Sequence, residues 1–265
     1  MNELFNLQNR VAFVSGATGH LGKEMVFCLA KAGAHVIINS RHQEQLEQLS
    51  FELSKLSLES TIACFDITDS KGVDVLINIL NKFERLDILI NNAYSGKPGT
   101  IKNATEEDFL LAYQSAVTGP FNLIQNSMKY LLAAANQHSG GASIINISSM
   151  YGQVSPDPSI YGDSGLNNPP FYGAAKSGLQ QLTRYLACHL AADKIRVNSI
   201  SPGAFPPVES ALKNPDFIKD LNKKIPLGRV GSPHELSGAI LFLASDASSY
   251  VTGANIPVDG GWTAW

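Results

Sequence analysis

The stretch YGAAK places Tyr172 and Lys176 four residues apart. On a helix this spacing puts a phenol and an ammonium on one face, a turn apart. A phenol in water loses its proton near pH ~10. A neighbouring ammonium stabilises the phenolate and lowers that value. The pair therefore reads as a proton donor and acceptor for use near neutrality. Two further Tyr-Gly pairs, at Tyr151 and Tyr161, have no lysine one turn on and read as loop or pocket-wall residues. Pro169-Pro170 just before Tyr172 suits a helix start. Ser149 follows the apolar run SIINIS (143–148) and is placed to hydrogen-bond a substrate carbonyl or hydroxyl.

A second constellation is SGATGHLG at 15–22, between an apolar run and a helical pattern. Its glycines let backbone approach a pyrophosphate, and the helix that follows offers free N–H groups and the positive end of its dipole. A glycine triplet is weak evidence alone and strong in a strand–turn–helix context. Cofactor contacts are expected from Gly16, Thr18, Gly19, Leu21 and Gly22. After the second apolar run comes Asn39-Ser40-Arg41, where an acidic residue would accept from the ribose 2′-OH of NAD. Arg41 suits a 2′-phosphate instead, so NADP(H) is favoured and NAD(H) is the alternative. Asp66, followed by Ile67, stands after the third run and is expected either to accept from the adenine amino group or, as Asp69 also could, to serve as a helix N-cap. Asn92 and Ala93, in NNAY after the fourth run, are expected beside the dinucleotide.

These residues need a scaffold that delivers them to one edge. Strands are predicted at 10–15, 34–39, 61–65, 86–90, 143–148, 195–200 and 255–258. Between them helices are predicted at 20–32, 43–56, 72–83, 106–135, 171–192 and 233–244. Leucines 46, 49, 53 and 56, and leucines 179, 182, 186 and 190, recur at helical spacing. The strands are almost wholly apolar, as when both faces of a parallel sheet are covered. The alternation predicts an α/β fold, a doubly wound parallel sheet with helices on both faces, in a single domain over 1–265. The Pro-, Gly- and Asn-rich stretches 153–170 and 202–226 read as long loops near a site.

Composition excludes several classes. A net charge of −3 supplies no basic footprint for nucleic acid and no polybasic arm for a membrane. No apolar run approaches the ~18 residues that span a bilayer, and MNELFNLQNR lacks the basic-then-apolar pattern of a secretory signal. Cys28, Cys64 and Cys188 are distant and odd in number, so they read as buried thiols of a reducing compartment. The histidines lack metal-ligand spacing. The expectation is a cytoplasmic protein with a small-molecule substrate, no metal, and neither nucleic acid nor membrane as partner.

Taken in order, the glycine loop, Asp66, NNA (91–93), NISS (146–149), YGAAK (172–176), NSISPG (198–203) and IPVDGGW (256–262) resemble the short-chain dehydrogenase/reductase family, in its shorter main branch and over essentially the whole chain. The resemblance implies a Rossmann-type sheet, hydride transfer at a carbonyl carbon, and a homo-oligomer, tetramer or dimer. It makes Ser149, Tyr172 and Lys176 the catalytic set. It has Lys176 also hold the nicotinamide ribose, and it puts Pro202 and Gly203 beside the nicotinamide. Ser149 and Tyr172 stand closer together in many members, so the extra residues here form an insertion that shapes specificity. The tyrosine-rich insertion and the NNAY turn are similar to those of dehydrogenases tied to bacterial surface-sugar and flagellin-glycan pathways. Alternatives on the same fold are a catalytically weak nucleotide-binding sensor and a sugar-nucleotide epimerase or dehydratase.

Three residues depart from the family pattern. His20 stands at the usual middle glycine of the loop. Tyr94 replaces the glycine of NNAG. Ala116 stands where an asparagine often helps hold a water that links the lysine to solvent, which puts the proton relay in question, with Gln114 or Ser115 as substitutes.

Overall fold

The computed structural model describes residues 3–162 and 167–265. Seven parallel strands form one sheet: β1 (Val11–Val14), β2 (His35–Ser40), β3 (Ser60–Cys64), β4 (Ile88–Asn91), β5 (Ala142–Ile147), β6 (Ile195–Pro202) and β7 (Asn255–Val258). Their order is β3-β2-β1-β4-β5-β6-β7. The chain winds outward from β1 in one direction and from β4 in the other, so a crevice opens at the carboxyl ends of β1 and β4, where such sheets bind ligands.

The apolar strands divide by parity between two cores, because successive side chains point to opposite faces. Ala12, Val14, Val36, Ile38, Ile88 and Ile90 enter one core with α1 (His20–Lys31), α2 (Gln43–Ser54) and α9 (Ser237–Ala244). Val11, Phe13, Ile37 and Leu89 enter the other, with α3 (Gly72–Phe83), α5 (Gly119–Ala135) and α6 (Pro170–Leu190). Of the α2 leucines, Leu46, Leu49 and Leu53 are buried, whereas Leu56 lies past the helix end and is exposed.

Several expectations need correction. The predicted helix 106–135 is α4 (Glu106–Tyr113) and α5 joined by a π turn, Gln114–Thr118. The stretch 202–226 is not one loop: it holds α7 (Val208–Lys213) and α8 (Pro215–Lys224). Pro215 at the first turn and Lys223 and Lys224 in the last suit α8. Phe217, Ile218 and Leu221 give α8 the apolar stripe that packs on Tyr161 and Ile160 of the 153–170 segment. In that segment residues 163–166 lie outside the described ones, as do residues 1–2 of the amino-terminal stretch. The three cysteines are free, but none is fully buried: Cys28 and Cys64 are half-buried, and Cys188 on α6 is exposed. Trp262 is core and Trp265 is exposed.

Candidate active site

A cleft of about 500 Å³ runs along the carboxyl ends of β1, β2, β3 and β4. It is lined by Gly16, Thr18, Gly19, Leu21, Gly22, Arg41, Asp66, Ile67, Asn92 and Ala93, so ten of the sequence-selected positions share one surface. Gly16 adopts a left-handed φ of +64°, which suits glycine. A Cβ on Gly22 would lie 2.1 Å from Gly16 O, so the loop closes on the helix only with glycine there. Gly19 caps α1 without a side-chain hydrogen bond, leaving the first N–H groups of the helix to a ligand. Asn92 holds the loop from β4: its Nδ2 donates to Ser15 O and Gly16 O, both at 3.0 Å. Ser15 Oγ in turn accepts from the N–H groups of Asn92 and Ala93. A backbone cradle at a helix start, with no side chain filling it, fits a pyrophosphate.

At the adenosine end, Asn39 is spent on structure, its Nδ2 donating to Ala63 O and Phe65 O. Ser40 Oγ accepts from Thr18 Oγ1 at 3.0 Å. Arg41 is solvent-facing and 3.5 Å from Asp66 Oδ2. The acidic residue expected to be missing after β2 is thus partly supplied from β3. Asp66 Oδ1 accepts from the N–H and hydroxyl of Thr68, which closes a turn; neither Asp66 nor Asp69 is the N-cap of α3, a position held by Lys71. Burial would raise the Asp66 pKa, but the Thr68 hydrogen bonds and Arg41 hold it below the ordinary carboxylate range.

Ser149, Tyr172 and Lys176 meet at the ends of β5 and α6. Ser149 follows β5 and accepts from Tyr151 N–H at 3.1 Å, opening a short 3-10 turn. The Tyr172 phenol lies beside the Ser149 side chain. Lys176 is buried, and its Nζ donates to Ile147 O at 2.7 Å. Burial pushes the Tyr172 phenol above its ordinary value, with Ser149 pulling the other way. Burial also lowers the Lys176 ammonium to about 8. The expected lowering of the phenol by Lys176 is not found: the ammonium is 5.9 Å from the Tyr172 ring centre, and burial sets the direction of the shift. Ser149, Tyr172, Lys176, Pro202 and Gly203 are not among the residues that line the cleft, whose near end is Tyr94. Gly203 donates to Val258 O and lies so close to Asp259 that a Cβ would meet its Cα at 2.6 Å.

The other tyrosines are wall residues. Tyr151 and Tyr161 face each other, hydroxyl to hydroxyl at 3.4 Å. Tyr151 packs on Trp262 and Tyr161 stacks on Phe217. Both line a cavity of about 740 Å³ beside α6, with Gln153, Asn167, Asn168 and Ser177. Near the cofactor cleft, neither proposed substitute for the missing asparagine faces Lys176. Gln114 donates to Thr68 O, and Ser115 donates to Ser95 O at 3.1 Å. Ala116 is buried in an apolar cluster. Sequence reasoning also missed His42, Gln45 and Leu111 in the cleft wall. His42 and Gln45 follow Arg41 directly and were recoverable from that adjacency, whereas Leu111 arrives only through the packing of α4.

Residues 16–263 match the family model described as enoyl-(acyl carrier protein) reductase. The chain belongs to the short-chain dehydrogenase/reductase family. The Thermotoga maritima 3-oxoacyl-[acyl-carrier-protein] reductase FabG is 34% identical over 96% of this chain and 98% of its own. The Pseudomonas aeruginosa RhlG/NADP active-site complex superposes with a TM-score of 0.89 at 30% identity, covering 99% of this chain and 100% of that one. A gluconate 5-dehydrogenase from Burkholderia cenocepacia, in complex with NADP and tartrate, gives 0.86 at 28% identity, covering 99% and 98%. As a short-chain dehydrogenase/reductase, the chain is an oxidoreductase of the class that interconverts CH–OH and keto groups.

Proposed function

We propose that this chain transfers hydride between NADP(H) and an alcohol/ketone pair carried on a sugar derivative. The observation that carries the reading is the convergence of Ser149, Tyr172 and Lys176 at the ends of β5 and α6, where the Ser149 side chain acts on the Tyr172 phenol and the Lys176 ammonium lies 5.9 Å from the Tyr172 ring centre. When bound, the nicotinamide supplies or accepts the hydride. In the reducing direction the Ser149 hydroxyl donates to the substrate carbonyl oxygen and fixes its position. Tyr172 gives its phenolic proton to that oxygen, and Lys176, tethered to Ile147 O, stabilises the phenolate left behind. In the oxidising direction Tyr172 takes the proton back. Among the cofactor contacts, the N–H groups at the start of α1 hold the pyrophosphate, and Arg41 holds the 2′-phosphate. Pro202 and Gly203 border the nicotinamide side.

The NADP complexes among the neighbours support the cofactor form. A sugar derivative is supported by the gluconate 5-dehydrogenase likeness and by the uncharged tyrosine-, amide- and hydroxyl-bearing wall at 151–177. Exposed apolar side chains on α4 and α6, including Phe109, Leu110, Tyr113 and Tyr185, support a homo-oligomer, dimer or tetramer. A cytoplasmic setting is consistent with the three free thiols. The test is equilibrium binding of NADPH and NADH, followed by nicotinamide fluorescence, in wild type and Arg41→Ala. The Arg41–Asp66 pair is solvent-exposed and long, hence worth little, and yields to a phosphate. Loss of a charged hydrogen bond of about 1.5–3 kcal/mol weakens NADPH at least about tenfold and leaves NADH nearly unchanged. A preference for NADH, or equal affinities for NADPH in both proteins, contradicts the assignment.

A further inference from the structure

We propose that Tyr94 is a positioning residue for Lys176, its ring face carrying the buried ammonium in the place of a polar partner. An ammonium has three N–H donors. In Lys176 the structure shows one acceptor, Ile147 O at 2.7 Å. The side chain is otherwise buried, and the Tyr94 ring packs against the apolar cluster of Ala112, Ala116, Phe171, Ala175 and Leu179. The ammonium lies over the Tyr94 ring, 5.2 Å from its centre. The same ring meets Tyr172 edge-on, with centroids 5.0 Å apart and planes at 81°. Tyr94 thus touches both members of the proton-transfer pair. A desolvated cation over an aromatic face is held more strongly than an exposed one.

Its hydroxyl does not explain the placement. The Tyr94 oxygen is buried and has no hydrogen-bond partner among the described residues. The neighbouring polar side chains are committed elsewhere, Ser115 to Ser95 O and Gln114 to Thr68 O. The titratable groups facing the ammonium are Tyr172 on its own helix and Tyr94 from the β4 loop. The small side chain of Ala116 in the same cluster leaves room for a ring at this position.

The inference deepens the hydride-transfer reading, but its test needs neither cofactor nor substrate. Protein carrying ¹³C-labelled lysine is titrated by NMR, with the Lys176 signal identified by its loss in Lys176→Met. Tyr94→Leu keeps bulk and removes the ring, and the ammonium pKa falls by about one unit. Tyr94→Phe keeps the ring and restores the wild-type value. Tyr94→Met, adaptable in volume, repeats the ring deletion should the leucine variant fail a melting check. An unchanged Lys176 titration in folded Tyr94→Leu or Tyr94→Met overturns the proposal, as does an equal fall in Tyr94→Phe. A wild-type chain that reduced no carbonyl compound with NADPH would sink the hydride-transfer reading without touching this result.

Discussion

Replacing Gly22 by alanine perturbs the loop at its closest approach to α1. The new Cβ would sit 2.1 Å from Gly16 O and 2.9 Å from Asn92 Nδ2. The carbonyl must retreat by about 1 Å to restore an ordinary contact. Gly16 O accepts from Gly19 N–H at 3.1 Å and from Asn92 Nδ2 at 3.0 Å, and the retreat strains both bonds. Their loss costs about 1 kcal/mol each, and forcing the methyl into packed backbone adds about 1–3 kcal/mol. Better helix propensity returns about 1 kcal/mol. The net destabilisation is about 3 kcal/mol, a fall in melting temperature of about 6–12 °C for a chain of this size. Gly19→Ala is the control, since its Cβ meets only Gly16 O, at 3.2 Å. That variant keeps the wild-type melting temperature within a few degrees, but its methyl projects into the cradle and weakens NADPH at least about tenfold. Thermal melting and fluorescence titration read both effects. A Gly22→Ala protein that melts and binds like wild type would refute the close-approach argument.

Two further predictions concern the opposite edge of the sheet. Arg196 is buried and donates to Gly140 O, Ser248 Oγ, Leu243 O and Ser245 O. Arg196→Ala removes these four charge-assisted bonds, leaving Gly140 O without its guanidinium donor while Leu243 O and Ser245 O keep Ser143 and Ser248 as donors, and should cost about 3 kcal/mol in urea unfolding, with m unchanged; a cost below about 1 kcal/mol would show that water replaces the guanidinium. His138, beside Arg85 and Asp87, has its pKa lowered by burial and by Arg10. The folded state therefore binds the His138 proton less well than the unfolded chain. This contribution to stability is full above the ordinary histidine value near pH ~6.5 and is lost as pH falls through the lowered folded one. His138→Asn should flatten the loss of stability between about pH 7 and 5; an unchanged slope in that window would remove His138 from the linkage.

What the sequence made legible was local. The loop at 15–22 and the YGAAK pair are chemistry written in short spacings, and the structure gathers Gly16, Gly19, Gly22, Arg41 and Asp66 along one cleft. The strands were legible because burial on both faces demands unbroken apolar runs, and the parity of β1 then sorts Ala12 and Val14 from Val11 and Phe13 without further information. The π turn at 114–118 was not, because one extra residue per turn leaves an apolar helical pattern looking continuous. α8 was hidden by the Pro, Asn and Lys around its short apolar stripe. Contacts between distant segments were out of reach. Arg41 meets Asp66 across two strands, and Tyr94 comes under Lys176 from the far side of α4 and α5. The sequence marked Tyr94 as a departure but could not say what its ring touches.

In the proposed reaction Tyr172 is the group that moves the proton. Tyr172→Phe, compared with Tyr151→Phe, tests this with NADPH binding by fluorescence and NADPH consumption across a panel of ketones and keto sugars. The account predicts that Tyr172→Phe binds NADPH within about twofold of wild type and loses turnover by at least about a hundredfold, while Tyr151→Phe retains turnover. Turnover near wild type in Tyr172→Phe would contradict it, whatever the substrate proves to be.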